Sequence, residues 1–433
     1  MTPPTLQLDD IQGLAVRGYR MPLARYRFYR FTDLAGGRAW LGALAEPITT
    51  AVDWPDGTVS TLNVALSYPG LEALGIDGET LSRFPQDFTE GMAARGPNRL
   101  GDVGPNAPEL WEPVFRERAI HALLLVWART EEALEDQLSE ADALCPSGVE
   151  LLADQPVSML PTGREHFGYQ DGISQPAIAG YGEPLPGQAG PVQPGEFILG
   201  YPDEIGQIAG SALPPELRNN STYLVYRKLR QDVASFRAFL QAHAHQAGGE
   251  ERLAAKILGR WRSGAPIVLA PDADNPALAD DPKQNNDFDY KRDDPRGLAC
   301  PLGAHLRRCR PRDQEPGRER HLLIRRGGLP YGPPLPEGAP DDGQDRGIVG
   351  MMLNASIERQ FEFVQRAWLG DPHFNKLSNE TDPIVGSGGT FTLPGRGLPR
   401  RITGMPRFVT VRGGEYLFLP SVSALRWMAA RTP

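Results

Sequence analysis

The sequence predicts an α+β protein built from two similar lobes, each combining strands with covering helices. Strand-like and helical patterns alternate over residues 1–160, and the alternation resumes after a Gly/Pro-rich stretch at 180–195. The strands mix apolar and polar residues, which favours sheets covered by helices on one face. The chain has 433 residues, of which 40% are hydrophobic, so it is long enough for a large core.

Each element of this fold class follows from the pattern of its segment. The predicted strands cover 24–32, 61–68, 120–128, 149–160, 221–229, 321–326, 347–355, 406–412 and 415–420. The main predicted helices cover 37–44, 130–144, 231–244 and 357–369. Thr130 precedes two acids, which is the composition of a helix N-terminus.

Two stretches without periodicity shape the domain organisation. The Gly/Pro-rich loop at 180–195 divides the chain into an N-terminal lobe, 1–195, and a C-terminal lobe, 196–433. Residues 264–300 are rich in Asp, Asn and Pro, and we expect a long surface excursion there. Long excursions of this kind often line functional sites.

Composition excludes several classes of protein. The net charge is −9 and no basic stripe with interleaved aromatics is present, so we expect no nucleic-acid partner. The N-terminus has neither a signal-peptide pattern nor an apolar run of roughly 18 residues, so we expect no membrane span. The three cysteines indicate no disulfide framework and favour a cytoplasmic location. The sequence leaves open whether the chain forms a homo-oligomer.

The first candidate for chemistry is Asp171, in the loop REHFGYQDGISQP at 164–176. It lies between Gly168 and Gly172, which let the backbone turn sharply and approach a ligand. An acid on such a loop among apolar residues suits proton transfer. A solvated turn aspartate is the alternative, since Asp-Gly is an ordinary turn dipeptide.

The second candidate is His305, in the segment CPLGAHLRRCRPR at 300–312. Cys300, His305 and Cys309 form one conceivable zinc cluster, but no second Cys/His pair follows at finger spacing. A histidine satisfied within the core is another interpretation. The nearby arginines would suit an anionic ligand such as a phosphate or the carboxylates of a cofactor, or would form a solvated basic face.

The third candidate is Arg326, in HLLIRRGGLPYG at 321–332. Strand alternation places Arg326 on the more apolar face, with Leu322 and Ile324. A buried arginine needs an anion or a developing negative charge. The alternative is a surface pair of arginines before a Gly-Gly turn.

With these candidates in place, the chain resembles the dye-decolourising (DyP-type) haem peroxidases. The family's GxxDG motif appears as Gly168 to Gly172 followed by ISQP, and CPLGAHLRR and RGGLPYG match the segments of its proximal histidine and distal arginine. Further matches include DIQG, GRWRSGAP and LNASIERQFEFVQ, so the resemblance covers nearly the whole chain. One departure is Arg310, where the family often has Asn.

The resemblance implies two ferredoxin-like lobes with antiparallel sheets and one haem b per chain in the C-terminal lobe. His305 would be the proximal iron ligand, and Asp382, in DPIVG, would be the carboxylate that orients it. Arg312 would pair with a haem propionate. Gly172 and Ile173 would lie beside the macrocycle, with Gly168 and Gly172 leaving room for it.

The resemblance also implies a reaction in which hydrogen peroxide oxidises dyes or phenolic compounds through a ferryl haem intermediate. Asp171 would move the peroxide proton, and Arg326 would stabilise the charge that develops. Aspartate has a reference pKa of about 3.9 against about 6.5 for histidine, so we expect an acidic optimum. Trp368 and Tyr331 are candidates for carrying electrons to bulky substrates, or are simply core aromatics.

Two other functions fit the same motifs. One is a haem-handling or oxygenase-like protein with weak peroxide turnover. The other is an interaction protein that uses this scaffold without a cofactor. A Soret band in the purified protein would exclude the cofactor-free interaction protein and leave the peroxidase and the haem-handling protein.

Overall fold

The structure is a computed structural model that describes residues 5–52, 54, 57–182, 190–322 and 324–431, without the side chains of 324–327. The strands are β1 Leu23–Phe31, β2 Ser60–Leu66, β3 Ala122–Ala128, β4 Val149–Ser158, β5 Thr222–Gln231, β6 Ile324–Tyr331, β7 Gly347–Asn354, β8 Gly389–Leu393, β9 Arg400–Met405 and β10 Val409–Leu419.

The two halves of the chain form one antiparallel sheet of eight strands in the order β4-β1-β3-β2-β10-β5-β7-β6. If the four strands of each half are numbered 1 to 4 along the chain, both halves have the spatial order 4-1-3-2. The halves meet at β2 and β10, where Leu66 pairs with Phe418. Strands β4 and β6 stand at the two ends of this order and yet contact each other, so the sheet curves into a barrel. The predicted α+β class with two antiparallel lobes is confirmed, and the lobes share one continuous sheet.

Helices lie around this sheet. They are α1 Leu34–Leu44, α2 Tyr68–Ala73, α3 Gly78–Leu81, α4 Gln86–Glu90, α5 Met92–Arg95, α6 Pro113–Arg116, α7 Glu131–Ala143, α8 Pro215–Arg218, α9 Val233–His243, α10 Glu250–Leu258, α11 Pro276–Asp280, α12 Tyr290–Asp293, α13 His305–Cys309 and α14 Val422–Ala430. Of these, α1, α2, α5, α6 and α7 contact strands of the sheet. Glu358–Glu362 and Val364–Leu369 are wound as π-helix. None of the helices among the described residues is long and apolar enough to cross a membrane.

Side-chain caps and apolar faces explain where the longer helices form. Thr130 accepts a hydrogen bond from Ala133 N at the start of α7, as its position predicts. Asp232 caps α9 in the same way through Ser235 N, at 2.9 Å. Helix α9 then buries Phe236 in an apolar cluster that includes Val409 of β10.

An apolar cluster apart from the main core holds the segment that precedes Asp171. The ring of Phe167 lies 4.6 Å from that of Phe236 on α9, and Phe236 packs edge-on against Phe408. Tyr169 belongs to the same buried cluster. The loop at 164–176 is therefore anchored to the C-terminal half of the molecule by packing.

The structure corrects several predictions from the pattern. Residues 264–300 are only partly a surface excursion, because Phe288 and Tyr290 are buried against Trp261. The predicted helix at 357–369 forms with π-helical winding. The segments 406–412 and 415–420 form a single strand, β10, with a register shift at Val411 and Gly413. The hairpin β8–β9 and helix α14 were not predicted.

Candidate active site

A cavity of about 350 Å³ lies beside one face of β5 and β7. The sheet contributes Leu229 and Met352, the π-helical segment contributes Phe361, and α13 contributes His305. The loop at 164–176 supplies another part of the lining, including Asp171. Segments that are far apart in the sequence and carry the candidate residues therefore meet at one cavity.

Two arginines hold the short helix α13 in place. Arg307 and Arg308 have no exposed surface. Arg307 donates a hydrogen bond to the carbonyl oxygen of Cys300 at 2.7 Å and Arg308 donates one to that of Trp368 at 2.7 Å. Because buried guanidinium groups must be paired, these contacts fix the helix on which His305 is the first residue.

Asp382 fixes the orientation of the His305 ring. Nδ1 of His305 lies 2.9 Å from Oδ2 and 3.0 Å from Oδ1 of Asp382. Backbone N–H groups of Ile384 and Val385 donate to Oδ1, both at 2.9 Å. Since Nδ1 faces the carboxylate, Nε2 is the ring nitrogen left for a ligand.

The pair is electrostatically coupled. Burial opposes the positive charge on His305, but the carboxylate of Asp382 outweighs it and holds the pKa of His305 well above its usual range. Burial likewise opposes the charge on Asp382, and the imidazolium of His305 outweighs it, so the pKa of Asp382 is below its ordinary value. The protein without a metal therefore keeps a charged pair at this point.

Among the described residues, no three His, Cys, Asp or Glu side chains converge as a metal site requires, so the zinc interpretation gains no support. Cys309 Sγ lies 3.6 Å from His305 Nε2. Cys300 is buried in another cluster, with Trp261 and Tyr290.

The loop around Asp171 depends on its two glycines for different reasons. Gly168 has φ of +95° and Gly172 has φ of +76°, a region that favours glycine. A Cβ at Gly168 would lie 2.2 Å from Nη1 of Arg262, whereas nothing lies within 4 Å of one at Gly172. The space expected for a macrocycle at Gly168 is therefore taken by Arg262, and only Gly172 is open.

Asp171 itself is partly exposed in the cavity wall, together with Gly172 and Ile173. Its Oδ1 accepts a hydrogen bond from Gly172 N at 2.8 Å. The Asp171 side chain is thus held within its own loop and faces the same cavity as His305.

Arginines gather where this cavity meets a second one of about 250 Å³. Arg310 and Arg312 line both cavities. Arg310 donates to the carbonyl oxygen of Ser174 at 3.0 Å, and Arg312 donates to that of Phe288 at 2.7 Å. Burial, reinforced by the positive charges of Arg312, Arg318 and Arg260, lowers the pKa of Arg310 to about 9.

The backbone at Arg312 is also unusual. Its φ is +53°, a left-handed conformation that costs a non-glycine residue of the order of 1–3 kcal/mol. The turn places the guanidinium 3.8 Å from the centre of the Phe288 ring. A cation directed to a cavity by a strained residue is suited to an anionic ligand.

These residues fit a haem. The cavity offers His305, whose Nε2 is the ring nitrogen not bonded to Asp382, and apolar walls that include Leu258 and Ile384. At one end it has arginines whose described hydrogen-bond partners are neutral. Such cations are suited to the carboxylates of a haem. Arg312, Gly172 and Ile173, the residues predicted to contact the cofactor, all line this cavity.

Of the other predicted residues, Trp368 and Tyr331 lie outside the described lining of the cavity. The backbone of Arg326 belongs to β6 and pairs with Met351, but its side chain is outside the described part of the structure. Trp368 is buried, with its ring 5.7 Å from that of His321, which does line the cavity. Tyr331 is buried under Lys228, whose Nζ lies 4.6 Å from the ring centre.

Sequence reasoning missed Glu165 and Gln231, which also line the cavity. Glu165 is six residues before Asp171, but a glutamate at the start of a loop carries no pattern of its own. Gln231 ends β5, and only the folded sheet brings it to Glu165. His321 was seen only as a strand residue, yet it ends a 3₁₀ turn before β6 begins.

Comparison with known proteins shows which family this chain resembles. Residues 10–154 match the family model of the DyP dimeric alpha+beta barrel domain. A dye-decolorizing peroxidase from Mycena epipterygia is 31% identical, over 98% of this chain and 87% of that protein.

Two solved structures are also similar. An ancestral D-type dye-decolorizing peroxidase superimposes with a TM-score of 0.86 at 32% identity, over 99% of this chain and all of the other. A dye-decolorizing peroxidase in complex with 2,6-dimethoxyphenol gives a TM-score of 0.84 at 31% identity, over 98% and 100% of the two chains. With this near-complete coverage, the chain belongs to the dye-decolourising peroxidase family, a class of hydrogen-peroxide-dependent oxidoreductases.

Proposed function

We propose that the protein binds one haem b in the cavity and uses hydrogen peroxide to oxidise dyes and phenolic compounds. The observation that carries the proposal is the meeting of His305, paired with Asp382, and the Asp171 loop at one cavity. The relatives support the substrate class, since one is a complex with 2,6-dimethoxyphenol.

In this proposal His305 Nε2 holds the iron, and Asp382 keeps the ring oriented and electron-donating through Nδ1. Arg310 and Arg312 bind the haem carboxylates. The bound haem supplies the iron centre that cleaves the O–O bond and stores the oxidising equivalents.

Asp171 acts as the distal acid–base. Its carboxylate accepts the proton of the incoming peroxide and returns it to the oxygen that leaves as water. Positioned proton transfer of this kind contributes roughly 100- to 10,000-fold. Arg326 is proposed on its sequence motif to stabilise negative charge on the separating oxygens.

The proposed division of labour follows the two halves of the chain. The lobe at 196–433 provides His305, Asp382 and the arginines, and the lobe at 1–195 provides the Asp171 loop. Electrons from bulky substrates pass through Trp368 or Tyr331, both of which are too buried to meet such substrates directly.

Haem reconstitution tests the binding part of the proposal. The wild-type chain should show a Soret band at one haem per chain, and His305→Ala should lose it. His245→Ala, which changes an exposed histidine, is the matched control and should keep the band. An unchanged Soret band in His305→Ala would remove His305 as the iron ligand.

A further inference from the structure

We propose that Glu165 is the positioning residue for Asp171, acting through the backbone of the loop that both residues share. This inference rests on the proposed function, because it assigns Glu165 to the proton-transfer step of Asp171. It adds a residue that lines the cavity but takes no part in the proton transfer itself.

The Glu165 carboxylate is the centre of the loop's hydrogen bonds. Oε1 accepts from Tyr169 N at 2.8 Å, and Oε2 accepts from Phe167 N at 3.0 Å. The backbone closes the same turn, since Glu165 N donates to Tyr169 O at 3.0 Å and Gly168 N donates to Glu165 O at 2.8 Å. Glu165 thus holds the residues on both sides of Gly168.

Gln231 connects this turn to the sheet. Its Nε2 donates to Oε2 of Glu165 at 2.5 Å. Gln231 is itself 5% exposed, and its backbone N–H is bonded to Arg346 O at 2.9 Å. A single carboxylate therefore joins the loop to β5, the strand that also contributes to the cavity.

Such a restraint is needed because glycines flank the catalytic residue. Gly168 and Gly172 leave the backbone unusually free on both sides of Asp171, and fixing a residue costs about 1–2 kcal/mol in backbone entropy. Glu165 restrains Tyr169, two residues before Asp171, by a charge-assisted hydrogen bond. A displacement of about 1 Å of a catalytic group lowers a rate by roughly 100-fold.

Arg262 supports the same loop from the other side. It donates to Phe167 O at 2.9 Å and is paired with Glu251 at 2.7 Å. This contact involves neither Tyr169 N nor β5. Glu165 is therefore the hydrogen-bonded link between them, in addition to the apolar packing of the loop.

The test is a double-mutant cycle in the haem-loaded enzyme. Glu165→Gln replaces one acceptor oxygen by an amide that cannot accept, so kcat/KM for hydrogen peroxide should fall roughly 10- to 100-fold. The kcat/KM for the reducing substrate and the haem content should stay near wild type. In an Asp171→Asn background, the same change should lower the peroxide rate by less than about twofold, because the two residues act as one unit.

Hydrogen exchange of the full chain gives a readout independent of activity. Amides of the peptide covering 164–176 should lose protection in Glu165→Gln. Gln231→Met removes only the link to the sheet, so it should have the same effect to a smaller degree. This variant serves as the test if Glu165→Gln folds poorly. Asp203→Asn is the matched control, since Asp203 holds Ile205 N and Gln207 N in a loop away from the cavity.

The outcomes are distinguishable. An equal loss of peroxide rate in both backgrounds, or unchanged protection of 164–176, overturns the positioning role of Glu165 and leaves Asp171 as proposed. If Asp171→Asn alone leaves the peroxide rate unchanged, the proposed role of Asp171 fails and that of Glu165 fails with it.

Discussion

His305 and Asp382 form a pair in which Nδ1 of the imidazole lies 2.9 Å from a carboxylate oxygen of Asp382. The Asp382 side chain is fully buried, and that of His305 is 16% exposed. Two further backbone N–H groups hold that carboxylate. Because Nδ1 faces the carboxylate, Nε2 is the ring nitrogen that would hold iron in the proposed function. His305 and Asp382 are 77 positions apart in the sequence, so only the fold brings them together.

The first prediction concerns this pair. Asp382→Asn keeps a hydrogen-bond acceptor but removes the negative charge that makes His305 electron-donating. Haem affinity should fall roughly 10- to 100-fold, as it does when such partners of a metal-bound histidine are changed. Haem titration followed at the Soret band measures this, with the exposed Asp341→Asn as control. An affinity equal to that of wild type would separate Asp382 from haem binding.

The second prediction concerns Arg310, the departure from the family's usual Asn. Arg310→Met should weaken haem binding roughly 10- to 100-fold, through loss of a charge-assisted hydrogen bond. The haem-free protein should be equally or more stable, because the arginine there is a largely buried cation among others. Thermal unfolding with and without haem compares the two effects. Arg426→Met is the control, since Arg426 is exposed, lies away from both cavities and pairs with Glu46 at 2.9 Å. Lower stability without haem would count against this account.

The third prediction is a pH dependence of stability. Burial raises the pKa of Glu415, on β10, to about 7, against about 4.3 in an unfolded chain. The folded state therefore binds this proton more tightly, and the resulting stability is present below about pH 4.3 and is lost as the pH rises to about 7.

Glu415→Gln removes that titration and still accepts the N–H of Tyr416, which lies 2.9 Å from Glu415 Oε1. The variant should be more stable than wild type at pH 8 by about 3 kcal/mol and similar to it at pH 4. Urea unfolding at several pH values measures the difference, with the exposed Glu46→Gln as control. Parallel curves for Glu415→Gln and wild type would rule out this titration.

The fourth prediction concerns electron transfer. Trp368 is 4% exposed and contacts both His321 and Phe363, whose rings stack 3.8 Å apart beside the cavity. Trp368→Phe should lower the oxidation rate of a bulky dye several-fold and leave the reaction with peroxide unchanged. Stopped-flow and spin trapping compare the variant with Tyr331→Phe. A radical trapped equally in wild type and Trp368→Phe would exclude Trp368 from the path.

Much of the fold was predictable because strand and helix patterns are local. The α+β class, β1 to β5 and helix α7 follow from periodicity and from caps such as Thr130. The hairpin β8–β9 was missed because its strands are short and largely polar. The π-helical winding of 358–369 leaves no mark in the pattern of apolar residues.

The site was predictable to the extent that motifs carried it. Asp171, His305 and Arg312 were found from the sequence, and all three line the cavity. Glu165 and Gln231 were not, because their importance lies in a contact between a loop and a strand end. The prediction that Gly168 leaves room for the cofactor was wrong, because Arg262 fills that space. Arg262 is 94 positions later in the sequence, and the pattern does not show that it lies there.

The most direct test of the central claim is the reaction of the haem-loaded enzyme with one equivalent of hydrogen peroxide, followed by stopped-flow absorbance. Wild type should show a fast change of the Soret band. Asp171→Asn should keep the same resting spectrum and haem content but react roughly 100- to 10,000-fold more slowly. Equal rates for wild type and Asp171→Asn would contradict the assignment of Asp171 as the distal acid–base.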